Sequence, residues 1–316
     1  RAWRFLSVPT QNNLQTIKES WQENMPANST LQSTPPGYGI HITKDSANWA
    51  AYGFDLQTTP GPSMKYFVPA TNAWKGVTST VNVPGINNGR FVTGTGYMTL
   101  VRGDRTVNSL IPATVTTLRS KGALVTGTFG PIAVGAGQFA AIGNPYASAI
   151  DYSKIPAPDL VNMVPFYYLW DPYMGLLGAY VTFATSGAHT SSTSYGANYF
   201  IESGQAFFVK SSGTAGSITL REPNKVDGSY LVSRPVSTDS RLKTSLYMLD
   251  SAGRHLYDGS LIEFDATYTK EVNEFDAEKM MNFGENLGIK LSDKVLSVER
   301  RTAFAESDTV FYNLGQ

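Results

Sequence analysis

YFIESGQAFFVKSSGTAGSITLREPNK, residues Tyr199–Lys225, decides how this 316-residue chain is read. It holds an apolar run (Ala206, Phe207, Phe208, Val209), a Ser/Gly turn, and a second run in which Ile218 and Leu220 alternate with polar residues. β-prone residues on both sides of a small-residue turn predict a hairpin. Pro223-Asn224, just beyond it, predicts the end of a domain. The segments upstream read as strands that need this hairpin to close a sheet, and those downstream read as a second unit.

Working outward, hydrophobic residues make up 41% of the chain and aromatics 12%, with 29 Gly and 17 Pro. That is the profile of a turn-dense, all-β protein. Two tandem β-sandwich-like domains with one short N-terminal helix are expected, 1–225 and 226–316, the second smaller, acidic and incomplete at its C-terminus. Charge marks the boundary. Residues 1–225 carry 15 Lys+Arg against 10 Asp+Glu, and residues 226–316 carry 10 against 15. The two excesses cancel to a net charge of zero, which offers a nucleic acid no long-range attraction. There is no cysteine, so disulfide and thiol chemistry are excluded. No apolar run reaches the length of a membrane span. Position 1 is Arg rather than Met and no signal peptide is visible, which suggests a processed product or a segment of a longer polypeptide.

Along the chain, Trp3, Phe5 and Leu6 predict a strand ending at Pro9. Leu14, Ile17, Lys18 and Trp21 are spaced for a helix over 14–23, stopped by Pro26. Strands are predicted at Gly39–Thr43, Met64–Val68, Tyr97–Arg102, Ser109–Thr117, Gly135–Ile142, Phe166–Trp170 and Gly178–Thr185, with a polar loop at Ser186–Gly196. In the second unit they fall near Tyr230–Arg234, then at Leu242–Leu249, Ser260–Phe264, Leu287–Leu291, Val295–Arg300 and Thr309–Leu314. Asp276 is the expected N-cap of one helical turn.

Several stretches share a look: AWRFLSVPT, PGYGIHIT, GYMTLVRGDRT, IGNPYASAIDY, YYLWDPYMGLLGAYVTF, YFIESGQAFFVK, RLKTSLYMLDSAGRHLYDG and FDAEKMMNFGENLGI. Together, and in this order, they resemble large secreted, adhesin-like cell-surface proteins of Bacteroidota. Proteins of that kind usually carry a C-terminal sorting domain for type IX secretion, which this sequence lacks. The resemblance implies an extracellular or cell-surface location and a structural or adhesive role.

Four constellations could carry function. Tyr167, Tyr168, Trp170 and Tyr173 with Asp171 would form a glycan platform if the rings face solvent, whereas strand alternation would send them into a core. Arg102, Asp104 and Arg105 sit in VRGDRT; the tripeptide is of integrin type, but an Arg–Asp pair bracing the turn after a strand is the favoured reading. Asp258, Asp265, Glu274, Asp276 and Glu278 offer oxygen ligands to Ca²⁺, without EF-hand spacing, and solvated loops are the simpler account. Among Asp151, Asp171 and Glu202, a glycosidase pair requires two that share a cleft. His41, His189 and His255 have no metal-ligand spacing and no GxSxG elbow occurs, so an enzyme is not expected, nor any cofactor beyond that Ca²⁺.

The expected function is therefore a secreted structural or adhesive surface protein acting on other copies of itself or on other surface proteins. The alternative is a carbohydrate-binding module that takes up glycans. The final predicted strand, carrying Val310 and Tyr312, would leave an open edge. The Ala2–Val8 segment, carrying Trp3 and Phe5, is the expected donor for that edge in a neighbouring copy, building a filament by strand exchange.

Overall fold

The computed structural model describes residues 2–11, 14–31, 37–44, 49–56, 61–107, 114–175, 177–185, 190, 200–227, 241–251, 253–302 and 308–315. The strand expected near Tyr230–Arg234, most of the 186–196 loop and the first half of Ser109–Thr117 lie outside these residues. The fold is all-β.

The central layer is an antiparallel sheet in the order Ala179–Ala184, Met163–Asp171, Ala206–Ser211, Phe139–Gly143. Its strands are buried on consecutive residues, Phe166 through Asp171 and Ala179 through Ala184, because both faces are covered. That accounts for their unbroken apolar runs, since a strand with one wet face would alternate. One face sends Tyr167, Leu169, Val181, Phe183, Phe207 and Val209 into a cluster with Val134, Ile218 and Leu220. Those last three belong to a three-stranded sheet in the order Leu160–Val161, Gly216–Leu220, Phe129–Val134. The other face sends Tyr168, Trp170, Tyr180 and Phe208 against Phe5 and Met98.

Phe5 and Met98 belong to a third sheet in the order Ala2–Leu6, Tyr97–Val101, Met64–Val68, Ala73–Gly76. Its far face is covered by Ile17, Trp21, Ile40, Ile42 and Phe54, most of them from irregular segments. Burying each such large apolar side chain contributes about 2 kcal/mol.

This arrangement corrects the reading of Tyr199–Lys225. Ala206–Ser211 pairs with Met163–Asp171 and Phe139–Gly143, whereas Gly216–Leu220 pairs with Phe129–Val134 and Leu160–Val161. The two runs are not hydrogen-bonded to each other. The chain arches from one layer into the next, so that Phe207 and Val209 face Ile218 and Leu220 across the core.

Other local expectations also change. Gly39–Thr43 forms no strand and is held by single bridges, Tyr38 to Thr117 and Thr43 to Asp55. Gly135–Ile142 is strand only from Phe139 onward: residues 135–138 form the turn that joins Phe129–Val134 to Phe139–Gly143, with Gln138 N bonded to Gly135 O. The helix is a single turn, Ile17–Ser20. Thr16 accepts from Glu19 N, Glu19 returns a bond to Thr16 N at 2.7 Å, and Glu23 and Asn24 adopt positive φ, which stops the helix early.

Beyond residue 240, strands run in the order Arg241–Asp250, Gly253–Phe264, Lys294–Arg301, Asn286–Leu291, Tyr312–Gly315, with Ala277–Glu278 also on Lys294–Arg301. Gly253–Phe264 with Lys294–Arg301 is the parallel pair, and the other pairs are antiparallel. Leu261, Ala277 and Val298 share a buried cluster with Phe166 and Ala184 of the central sheet. Polar contacts add to it: Tyr168 Oη donates to Glu278 O at 3.3 Å, and Tyr180 N to Asn282 Oδ1 at 2.7 Å.

Candidate functional site

The aromatic strand is not a platform. Tyr167, Tyr168, Trp170 and Asp171 are buried, because the sheet that carries them lies between two others. Trp170 Nε1 donates to Trp3 O at 2.9 Å, and Asp171 accepts from Tyr173 N at 2.9 Å as the strand ends. Tyr173 alone is exposed, at 64%, and there Arg4 stacks on it with 5.2 Å from guanidinium to ring centre.

The RGD turn also faces inward. Arg102, Asp104 and Arg105 are all buried, so no receptor reaches the tripeptide. Gly103 supplies the turn at φ +140°, where an added Cβ would meet Thr114. Asp104 braces the turn by accepting from Thr106 N at 3.0 Å, and an Arg–Asp pair joins Arg105 to Asp55. Arg105 grips Asp55 with two parallel bonds, Nη1 to Oδ2 at 3.1 Å and Nη2 to Oδ1 at 3.0 Å. Asp55 also accepts from Gln22 Nε2 at 2.9 Å, Ile42 N at 3.0 Å and Asn28 N at 2.8 Å. Burial pushes the Asp55 carboxyl up, but the hydrogen bonds and charges of His41 and Arg105 outweigh it and hold it well below the usual carboxylate range. This network stitches together the irregular segments that cover the third sheet.

His41 turns Nδ1 to Asp55 Oδ1 at 3.4 Å and Nε2 to Arg105 O at 2.9 Å. The nitrogen that a hydrolytic triad would present to a nucleophile is thus occupied by a carbonyl. His255 pairs at the surface with Asp250, and His189 lies outside the described residues. Of the glycosidase candidates, Asp151 accepts from Ser153 N and Oγ at 3.0 and 2.6 Å, and Asp171 closes its own turn. Glu202 is half-buried beside the bend where its backbone N bonds Gln205 Oε1.

The acidic residues proposed for Ca²⁺ are dispersed by separate duties. Asp258 is buried against Lys279 at 2.7 Å and accepts from Leu287 N at 2.6 Å. Asp265 accepts from Thr267 N and Oγ1 at 2.9 and 2.7 Å. Asp276 caps no helix: it accepts from Asn273 N and Arg300 N, both at 2.8 Å, and a strand follows it. Glu278 pairs with Lys210 and Lys294, and these two lysines line one cavity with Glu274, Asp276 and Glu278. Among the described residues no group of three or more His, Cys, Asp or Glu is placed to hold a metal.

What remains is the pair of edge strands. Ala2–Leu6 is not a loose donor. It runs along Tyr97–Val101 from Ala2 to Leu6, with Phe5 buried against Phe208 at 4.9 Å between ring centres. Its outer edge is closed by the Trp170 bond to Trp3 O and by Ser7 N donating to Gly204 O at 2.8 Å.

Tyr312–Gly315 differs. Lys290 N donates to Phe311 O at 2.7 Å, so Phe311, Asn313 and Gly315 bond toward Asn286–Leu291. By strand alternation the backbone groups of Val310, Tyr312 and Leu314 point outward. No described strand pairs with that side, and Phe311 and Leu314 are each 66% exposed. Tyr312 is anchored, its hydroxyl 2.6 Å from Thr244 Oγ1, and with Val310 it packs on Ile262, Ile289 and Leu296. The sequence reading pointed to Val310 and Tyr312 and passed over Leu314 and Phe311. The signal for Leu314 was its place two residues after Tyr312, the same register on the strand.

No protein-family model, curated protein or solved structure matches this chain. No helix among the described residues is long and apolar enough to cross a membrane.

Proposed function

We propose that the chain is a structural or adhesive surface protein that works through protein–protein contacts at the outer edge of Tyr312–Gly315. The supporting observation is that edge: outward backbone groups at Val310, Tyr312 and Leu314 with no described strand beside them, flanked by exposed Phe311 and Leu314. An unpaired row of this kind is a template for another chain's strand. The favoured partner is a second copy. The surplus of carboxylates after residue 225 and of cations before it attracts the acidic part of one molecule to the basic part of the next. Because that contact joins unlike surfaces, repetition without closure gives a filament. Secretion to the cell surface by a type IX route belongs to the same proposal and rests on the sequence resemblance.

Negative-stain microscopy and sedimentation of the protein test it. Leu314→Pro removes one outward N–H and leaves the bonds to Asn286–Leu291 in place. The proposal expects regular assemblies from the native chain and single particles from the variant. Single particles from both, or unchanged assemblies from the variant, would overturn it.

A further inference from the structure

The loop between Phe264 and Ala277 is tied into a rim by its own polar residues. Asp265 holds Thr267, and Asn273 Nδ2 donates to Thr269 Oγ1 at 2.9 Å and Glu271 O at 3.1 Å. Asn273 Oδ1 accepts from Phe275 N at 2.8 Å, and Asp276 accepts from Asn273 N at 2.8 Å. The rim surrounds a cavity of about 550 Å³, within the range of small-molecule sites.

Two aromatic rings line the cavity, Tyr268 and Phe275. Phe275 is 49% exposed, so its ring is presented at the surface and contributes little core packing. Arg300 also lines the cavity, buried, its guanidinium 5.1 Å from the Phe166 ring centre and 5.6 Å from that of Tyr268. Arg300 Nε donates to Glu263 Oε2 at 2.8 Å, which fixes its plane. Glu274 also lines the cavity, and its carboxylate makes no hydrogen bond or ion pair to a described residue.

From this set we infer that the cavity is a binding site for a neutral pyranose of a glycan. A pyranose has an apolar C–H face that covers an aromatic ring, and its hydroxyls donate and accept at once. An exposed ring face and a carboxylate acceptor that has no partner among the described residues are the complement of that chemistry. Charge argues against the other classes. An acidic ligand would meet Glu274, with Glu263 and Asp276 beside Arg300, and a quaternary ammonium would meet the guanidinium of Arg300. The site is separate from the Tyr312–Gly315 edge and stands or falls independently of it.

The test is a glycan array probed with the full chain. Saturation-transfer NMR with methyl β-D-glucopyranoside, methyl β-D-galactopyranoside and N-acetylglucosamine follows. Retention of neutral glycans is expected, with Phe275→Ala and Glu274→Gln each weakening it about tenfold, the loss of one ring or one charged acceptor. Both side chains are at the surface, and circular dichroism verifies that each variant folds. Leu314→Pro should bind as the native chain does. No retained glycan, retention of acidic glycans alone, or unchanged binding by Phe275→Ala would overturn the inference.

Discussion

The strands Ala2–Leu6 and Tyr312–Gly315 both lie at the margin of a sheet and pair antiparallel with their one neighbour, yet their outer sides are finished differently. Beside the first, the Trp170 indole bonds Trp3 O and Gly204 O takes the Ser7 amide, while Phe5 is held among Phe208, Trp74 and Met98. Beside the second, no described strand meets the groups of Val310, Tyr312 and Leu314, and the flanking side chains are in water. The difference lies in what is underneath. The first sheet rests on an aromatic layer that reaches past its edge and supplies a donor to it. The second sheet has no such layer beyond its last strand among the described residues. Edge position alone does not make a strand available; the neighbouring layer decides.

The largest expected break is Phe5→Ala. It removes a ring from between two layers and should cost about 3–5 kcal/mol in denaturant unfolding. A cost below about 1 kcal/mol would mean that Ala2–Leu6 is not seated as described.

Next is Asp55→Asn, which strips the cover from the far face of the same sheet by leaving Arg105 without its carboxylate, at about 3 kcal/mol near neutral pH. The pH dependence has a definite sign. The folded-state pKa of Asp55 lies below the ordinary value of 3.8, so its stabilisation is fully present above that value and is lost as pH falls through the lower folded value. The gap between native and variant chains should stay constant down to about pH 5 and shrink below that. A gap that closes near neutral pH would contradict the assignment.

Trp170→Phe keeps a ring in the layer but removes the donor to Trp3 O. A cost of about 1–2 kcal/mol is expected, with faster amide exchange along Ala2–Leu6. Leu314→Pro should move stability by no more than about 0.5 kcal/mol while abolishing assembly, because no described strand is paired with that side of Tyr312–Gly315.

Much of this was legible in the sequence. Met64–Val68 appears where apolar and β-branched residues predicted it, and Tyr97–Val101 within one residue, because local periodicity fixes strand position. The identity of the neighbouring strand is not a local property. The small-residue turn after Ser211 serves an arch as well as a hairpin, and only the distant strands at Phe139–Gly143 and Phe129–Val134 decide between them. The unbroken run at Phe166–Trp170 held a clue to burial on two faces, which is why Trp170 cannot meet a glycan. The inward turn of Arg102–Arg105 depends on Asp55, far back in the chain, and no spacing rule connects them.

The most direct test is hydrogen–deuterium exchange, resolved by residue, on dilute and concentrated protein. The amides of Val310, Tyr312 and Leu314 should exchange fast when dilute and become protected on assembly, while that of Ser7 is protected throughout. Protection that appears on assembly at Ala2–Leu6, or nowhere near Tyr312, would contradict the account.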